Sequence, residues 1–119
     1  MDNQLNEKLG RLAGVLVSIE QWPDELPVMS VYDTEQENLL EECEPFTESL
    51  DASFRIVLPK LNALEWTEVD FYSGPRMPHC ILSGFGKDPI EKGADSYAHA
   101  FCLAAEVAFD REAQCSPQH

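Results

Sequence analysis

His99 and Cys102 stand three residues apart, a spacing that puts both side chains on one face of a helix. His79, Cys80 and Cys43 could add further nitrogen and sulfur donors, and such a set would suit zinc. Against this, adjacent residues of a strand point to opposite faces, so His79 and Cys80 cannot both reach one ion. The cysteines at 43, 80, 102 and 115 also show no Cys-x-x-Cys spacing, and Cys102 fits an apolar helix as a small hydrophobe. A cysteine nucleophile would need a base, a third orienting group and a depressed pKa, whereas carboxylate-rich surroundings push a thiol up. Gly84-Phe85-Gly86-Lys87 has the glycines of a phosphate loop but lacks its Gly-Lys-Ser/Thr ending. No alternating Asp/Asn loop closed by Glu provides for calcium. These residues point to no catalytic residue, no metal and no cofactor, so the expectation is a protein that is not an enzyme.

The remaining groups able to act are carboxylates. Eleven of the 22 acidic residues fall between Glu20 and Asp51, and no Lys or Arg occurs from residue 12 to residue 54. Without local cations they must form an exposed anionic surface or meet a basic partner. Trp22, Met29, Tyr32, Leu39, Leu40 and Phe46 interrupt the acids, and apolar residues among like charges suit an interface core inside a charged rim. The candidate partner-binding residues are Asp33, Glu35, Glu37, Glu41, Glu42 and Glu44, with Tyr32 and Leu39. A net charge of −14 opposes phosphate and anionic lipid alike, so neither nucleic acid nor membrane is expected as a direct partner.

These side chains must be held by a small fold, read as a single domain over 1–119 with an acidic insert at about 20–46. Leu5, Leu9, Leu12, Leu16 and Ile19 recur at steps of four and three and predict one helix over 3–20. Residues 28–32 have the branched and aromatic content of a strand, while 33–44 reads as a solvated loop or one exposed helical turn. Thr47 can cap a second helix whose buried face is Leu50, Phe54, Val57 and Leu61, with a kink at Pro59. Residues 65–72 and 78–85 read as a hairpin, and 84–93 as a loop. Asp95 or Ser96 can cap a last helix through about Arg111, with Tyr97, Phe101, Ala104, Ala105 and Ala108 on its apolar side. A frayed tail is expected at about 113–119. The opening residues lack the features of a signal peptide, and no apolar run nears the ~18 residues of a spanning helix, so the expected place is the cytoplasm with free thiols.

Three pieces in this order resemble the phage ABA sandwich domain family of small phage and prophage proteins. They are residues 7–14, Pro45-Phe46-Thr47-Glu48-Ser49-Leu50-Asp51-Ala52 continued by Leu58-Pro59-Lys60-Leu61, and Ala100-Phe101-Cys102-Leu103-Ala104-Ala105. Val15 follows Gly14 where relatives carry an aromatic, and Leu103 stands where a basic residue is expected. The resemblance implies an α+β fold: a small antiparallel sheet, the hairpin with a third strand beside it, and helices packed on both faces. It also implies a phage origin and the cytoplasm of a bacterial host, and it carries no catalytic site. Host defence effectors hold nucleic acid in Lys/Arg grooves, so the expectation is a phage-encoded, anti-CRISPR-like inhibitor that occupies such a basic surface by phosphate mimicry. The alternatives are a protein that sequesters a small nucleotide signal and a passive phage accessory protein. Open sheet edges would allow a homodimer by strand pairing.

Overall fold

The computed structural model describes residues 3–35 and 37–115. Helix α1 (Asn3–Leu12) buries Leu5, Asn6 and Leu9 and stops well short of the expected residue 20. Gly14, at φ 88°, ends it. The Val15 amide donates to the Gly10 carbonyl at 2.8 Å and the Gly14 amide to that of Arg11 at 3.0 Å, the paired bonds of a glycine-closed helix terminus. Beyond that stop the apolar spacing continues, but Leu16-Val17-Ser18-Ile19-Glu20 is branched and forms strand β1 (Leu16–Glu20).

Strand β1 pairs antiparallel with β2 (Val28–Tyr32), running from Leu16 opposite Tyr32 to Glu20 opposite Val28. The expected acidic loop is also partly strand: β3 (Leu39–Cys43) pairs with β2, with a bulge between Val31 and Tyr32. Backbone pairing outweighs the poor strand propensity of Glu41 and Glu42, because Met29 and Val31 on the neighbouring strand are buried and hold the register.

A 3-10 turn at Phe46–Glu48 leads into α2 (Leu50–Ile56) and α3 (Leu58–Ala63). Ser49, not Thr47, caps α2, accepting from the Ala52 amide at 3.2 Å. Thr47 is instead clamped by the buried Asn6, which accepts from its amide and donates to its hydroxyl, both at 3.0 Å. The break between α2 and α3 sets Pro59 in the first turn of a new helix, where its missing N–H costs nothing.

The expected hairpin is present as β4 (Glu68–Ser73) and β5 (Pro78–Ser83), and the expected loop after it contains β6 (Ile90–Gly93) on the other side of β5. The fold is therefore α+β, with two three-stranded antiparallel sheets, β1-β2-β3 and β4-β5-β6, where one was expected. Helix α4 (Tyr97–Cys115), capped by Ser96 through the His99 amide at 3.1 Å, packs on β5 and β6. It also touches α1, α2, α3 and the 3-10 turn, so Ala100, Phe101, Cys102, Ala104, Ala105 and Ala108 are all buried. Phe101 meets Phe54 edge-on at 5.2 Å; Phe54 and Leu50 are half-buried at the margin of the core. The tail expected from 113 is helical as far as Cys115, and the rest of it lies outside the described residues. No helix among the described residues is long and apolar enough to cross a membrane.

Candidate protein-docking surface

Alternation along β1–β3 divides the sheet into two faces. Met29 and Val31 are buried, and Val17, Ile19 and Cys43, their cross-strand neighbours, pack against the core with them. The opposite face carries Leu16, Tyr32 and Leu39 at one end, Ser18, Ser30 and Glu42 across the middle, and Glu20 and Val28 at the other end. Leu39 and Val28 are exposed there, and Leu40, the unpaired residue at the bulge, is exposed as well. This outer face is an apolar and carboxylate strip about 14 Å long, the reach of a five-residue strand.

Of the residues expected to bind a partner, Tyr32 and Leu39 are brought face to face as cross-strand neighbours. Asp33, Glu35 and Glu37 lie in the β2–β3 connection at the same end. Asp33 is occupied structurally: its Oδ1 accepts from the Glu35 amide at 3.0 Å and the Glu37 amide at 3.1 Å, pinning the turn in which Glu37 takes φ 57°. Shallow cavities flank this end, one of about 290 Å³ lined by Leu16, Tyr32 and Glu37. Glu42 is exposed at mid-strip, and Glu44 lies at the far end, away from Glu35 and Glu37.

Glu41 departs from the expectation of an unpaired acid. Its carboxylate meets Arg55 at 2.7 Å, and Arg55 also takes Asp51 at 3.0 Å. Both contacts hold the guanidinium pKa above its ordinary value, the Glu41 hydrogen bond first. The cation-free stretch thus borrows one cation from α2. Among the described residues, Glu20, Asp24, Glu25, Glu35, Glu37, Glu42, Glu44 and Glu48 make no ion pair.

Two further candidates lie in the β1–β2 connection. The Glu25 amide donates to the Trp22 carbonyl at 3.1 Å across Pro23 and Asp24, and Asp24 sits at φ 66°. A proline followed by a left-handed residue is the pattern of a rigid type II turn. It holds Trp22 59% and Leu26 76% exposed beside Glu20, Asp24 and Glu25. The signal for Trp22 and Leu26 is that each directly precedes a proline, Pro23 and Pro27, in a segment with no helical or strand face on which to bury them.

The nucleophile and metal candidates separate. Cys80 is buried and its thiol is pushed up to about 12, by burial first and by the Asp70 charge second. His79 is on the opposite face of β5, stacked on Tyr72 at 4.8 Å. Cys43 is also raised, by burial and then by Glu41, and Cys102 packs against the Ser53 hydroxyl at 3.7 Å. No group of three or more His, Cys, Asp or Glu among the described residues could hold a metal ion. The side chain of Cys115 lies outside the described residues.

No protein-family model matches the chain, and comparison with curated proteins and with solved structures returns no significant match.

Proposed function

We propose that this chain is a non-enzymatic binding protein whose outer β1–β3 face docks on a basic surface of another protein. In the setting implied by its resemblance to phage ABA sandwich proteins, it is a phage-encoded inhibitor of a bacterial defence effector, acting in the host cytoplasm. It covers a groove that otherwise holds nucleic acid, its carboxylates standing in for phosphates. One observation supports this most: exposed Trp22, Leu26, Leu39 and Leu40 lie in β3 and the β1–β2 connection among carboxylates that make no ion pair among the described residues. Charge of that kind accelerates encounter and selects basic partners, while a few buried apolar anchors slow dissociation. Sequestration of an anionic nucleotide draws less support, because the cavities beside this sheet are lined by Glu37, by Asp33 and Glu35, or by Glu44 and Glu48.

The test is phage plating on a panel of strains, each carrying one nucleic-acid-guided or nuclease-based defence system, with the chain expressed in trans. Wild type should restore plating on at least one strain. The variant with Glu35, Glu37, Glu42 and Glu44 all replaced by Gln should restore it poorly while accumulating to the same level. Relief of no system, or equal relief by the Gln variant, would overturn the proposal.

A further inference from the structure

The order β4-β5-β6 leaves β4 at an edge of its sheet. Helix α1 packs along β1, and α4 along β5 and β6, whereas β4 has only its ladder neighbour β5 running beside it. The Gly74 amide donates to the carbonyl of Met77, its partner across the hairpin, at 3.0 Å. Ladder bonds of an antiparallel pair fall on alternate residues, so Tyr72, Asp70 and Glu68 turn their backbone groups toward β5, and Ser73, Phe71 and Val69 turn theirs outward. Among the described residues, no loop, helix or side chain bonds to those outward groups. Ser73 is exposed, and Val69 and Phe71 are half-buried.

A row of alternating N–H and C=O groups recognises another extended strand. The residues of β4 specify which one. When two copies of β4 pair antiparallel about a two-fold axis at Phe71, Phe71 meets Phe71, Val69 meets Ser73, and every outward group of the strand finds a partner. The faces also match. Phe71 points to the core side, with the rings of Phe54 and Tyr97 at 6.1 and 5.3 Å, so the aromatic layer continues across the seam. An axis at Asp70 would instead set that carboxylate directly against its own copy and leave Ser73 opposite Thr67, whose amide is taken by the Ser83 carbonyl. The other edges are less suited: β3 pairs across a bulge, and β1 and β6 have helices alongside.

We propose that β4 is a self-association edge, pairing with β4 of a second copy about Phe71 to make one continuous sheet in the order β6-β5-β4-β4-β5-β6. The contact uses the same strand on both copies, so the assembly closes at a dimer. Charge favours a second copy as the occupant. The axis at Phe71 lays Gly74 beside Glu68, which brings the hairpin corner of each copy, with Arg76, to Glu65 and Glu68 of the other. All three are exposed, and none makes an ion pair within its own chain among the described residues. Like charges approach at Asp70, which stands opposite Tyr72 and only diagonal to Asp70 of the second copy, at about 7–8 Å.

The seam leaves the β1–β3 face untouched, so docking on a basic partner and pairing through β4 succeed or fail independently. Sedimentation equilibrium of the full chain at physiological salt, from micromolar to millimolar concentration, is the test. The mass should rise from 13.4 kDa toward twice that value. Ser73→Pro removes one outward amide and puts a ring into the seam, at an edge position whose N–H faces solvent and where the single chain accepts proline. It should weaken the dimer about ten-fold or more. Asp70→Asn removes the diagonal repulsion and should strengthen it. Arg76→Glu should weaken it, and Glu68→Arg in the same chain should restore it. A wild type that stays at 13.4 kDa throughout, a Ser73→Pro chain that dimerises as before, an Asp70→Asn chain that dimerises less, an Arg76→Glu chain that Glu68→Arg leaves unrestored, or growth beyond two copies would each overturn the proposal.

Discussion

Glu41 shows how one residue divides a charge cluster into parts with different roles. Its Arg55 partner makes it part of the fold, while Glu35, Glu37, Glu42 and Glu44 are exposed and make no ion pair among the described residues. Replacing those four with Gln should leave the thermal midpoint unchanged or raise it slightly. Adding Glu41→Gln should then lower stability by at most about 1 kcal/mol, the usual worth of an exposed pair, since Arg55 keeps Asp51. Thermal melts of the four-site and five-site variants check this, and equal midpoints would show the pair to be idle. Cys80 supplies the pH-dependent counterpart. Its ordinary pKa of 9.0 is raised to about 12 in the folded chain, so the folded state holds its proton more tightly than the unfolded state does. The stability this represents is fully present below pH 9.0 and is lost as pH rises toward about 12. Urea melts across that range should show falling stability, with a smaller fall in Cys80→Ala measured against its own value at pH 8. A fall of the same size in the variant would assign it to other groups.

Two helix ends make the element-scale argument, because they use the same backbone geometry with opposite residue choices. Gly14 closes α1 at φ 88°, and Glu65 closes α3 at φ 72°. There the Trp66 amide reaches the Leu61 carbonyl at 2.9 Å and the Glu65 amide that of Asn62 at 3.0 Å. A side chain in the left-handed region costs about 1–2 kcal/mol. Gly14→Ala should therefore destabilise by about 1 kcal/mol, while Glu65→Gly should stabilise by roughly 0.5–1 kcal/mol after the added entropy of the unfolded glycine. Chemical denaturation of both variants tests this; a destabilising Glu65→Gly would mean that its side chain matters more than its backbone. The clamp between α1 and the 3-10 turn is a harder case. Asn6→Leu strips both partners from the buried Thr47 and should cost about 2–3 kcal/mol. Gly14 also marks where the sequence could be read and where it misleads. The Leu5, Leu9 and Leu12 stripe and the apolar side of α4 were legible because a single helix face carries them. Leu16 and Ile19 extended the stripe by coincidence of spacing, and only the glycine and the branched residues after it betray the strand. Leu39–Cys43 was harder still: nothing in Leu-Leu-Glu-Glu-Cys alternates, and its strand character comes from pairing with β2, a contact remote from its own side-chain pattern. The negative charge of this stretch was legible because charge is additive along a sequence, whereas the pairing of Glu41 with Arg55 depends on the fold.

At the scale of the molecule, a net charge of −14 is carried on a slab with extents of 44 × 43 × 19 Å, whose thin dimension leaves little interior to separate opposed charges. Self-repulsion must lower the stability of the compact state, because unfolding lets like charges move apart. Part of it arises on β1–β3 and the segments that adjoin them, where Glu20, Asp24, Glu25, Glu35, Glu37, Glu42 and Glu44 make no ion pair among the described residues. NaCl screens exposed charges beyond about 8 Å at physiological ionic strength, so it should relieve repulsion across the strip more than it weakens the closer pairs of Lys8 and Arg55. The thermal midpoint of the wild-type chain should therefore rise with NaCl. In the variant lacking the charges of Glu35, Glu37, Glu42 and Glu44, the midpoint at low salt should be equal or higher and the rise with salt distinctly shallower. A midpoint that falls with NaCl would mean that attractive pairs dominate the surface. An unchanged slope in the variant would place the repulsion elsewhere and remove the physical basis for treating this strip as a surface awaiting positive charge.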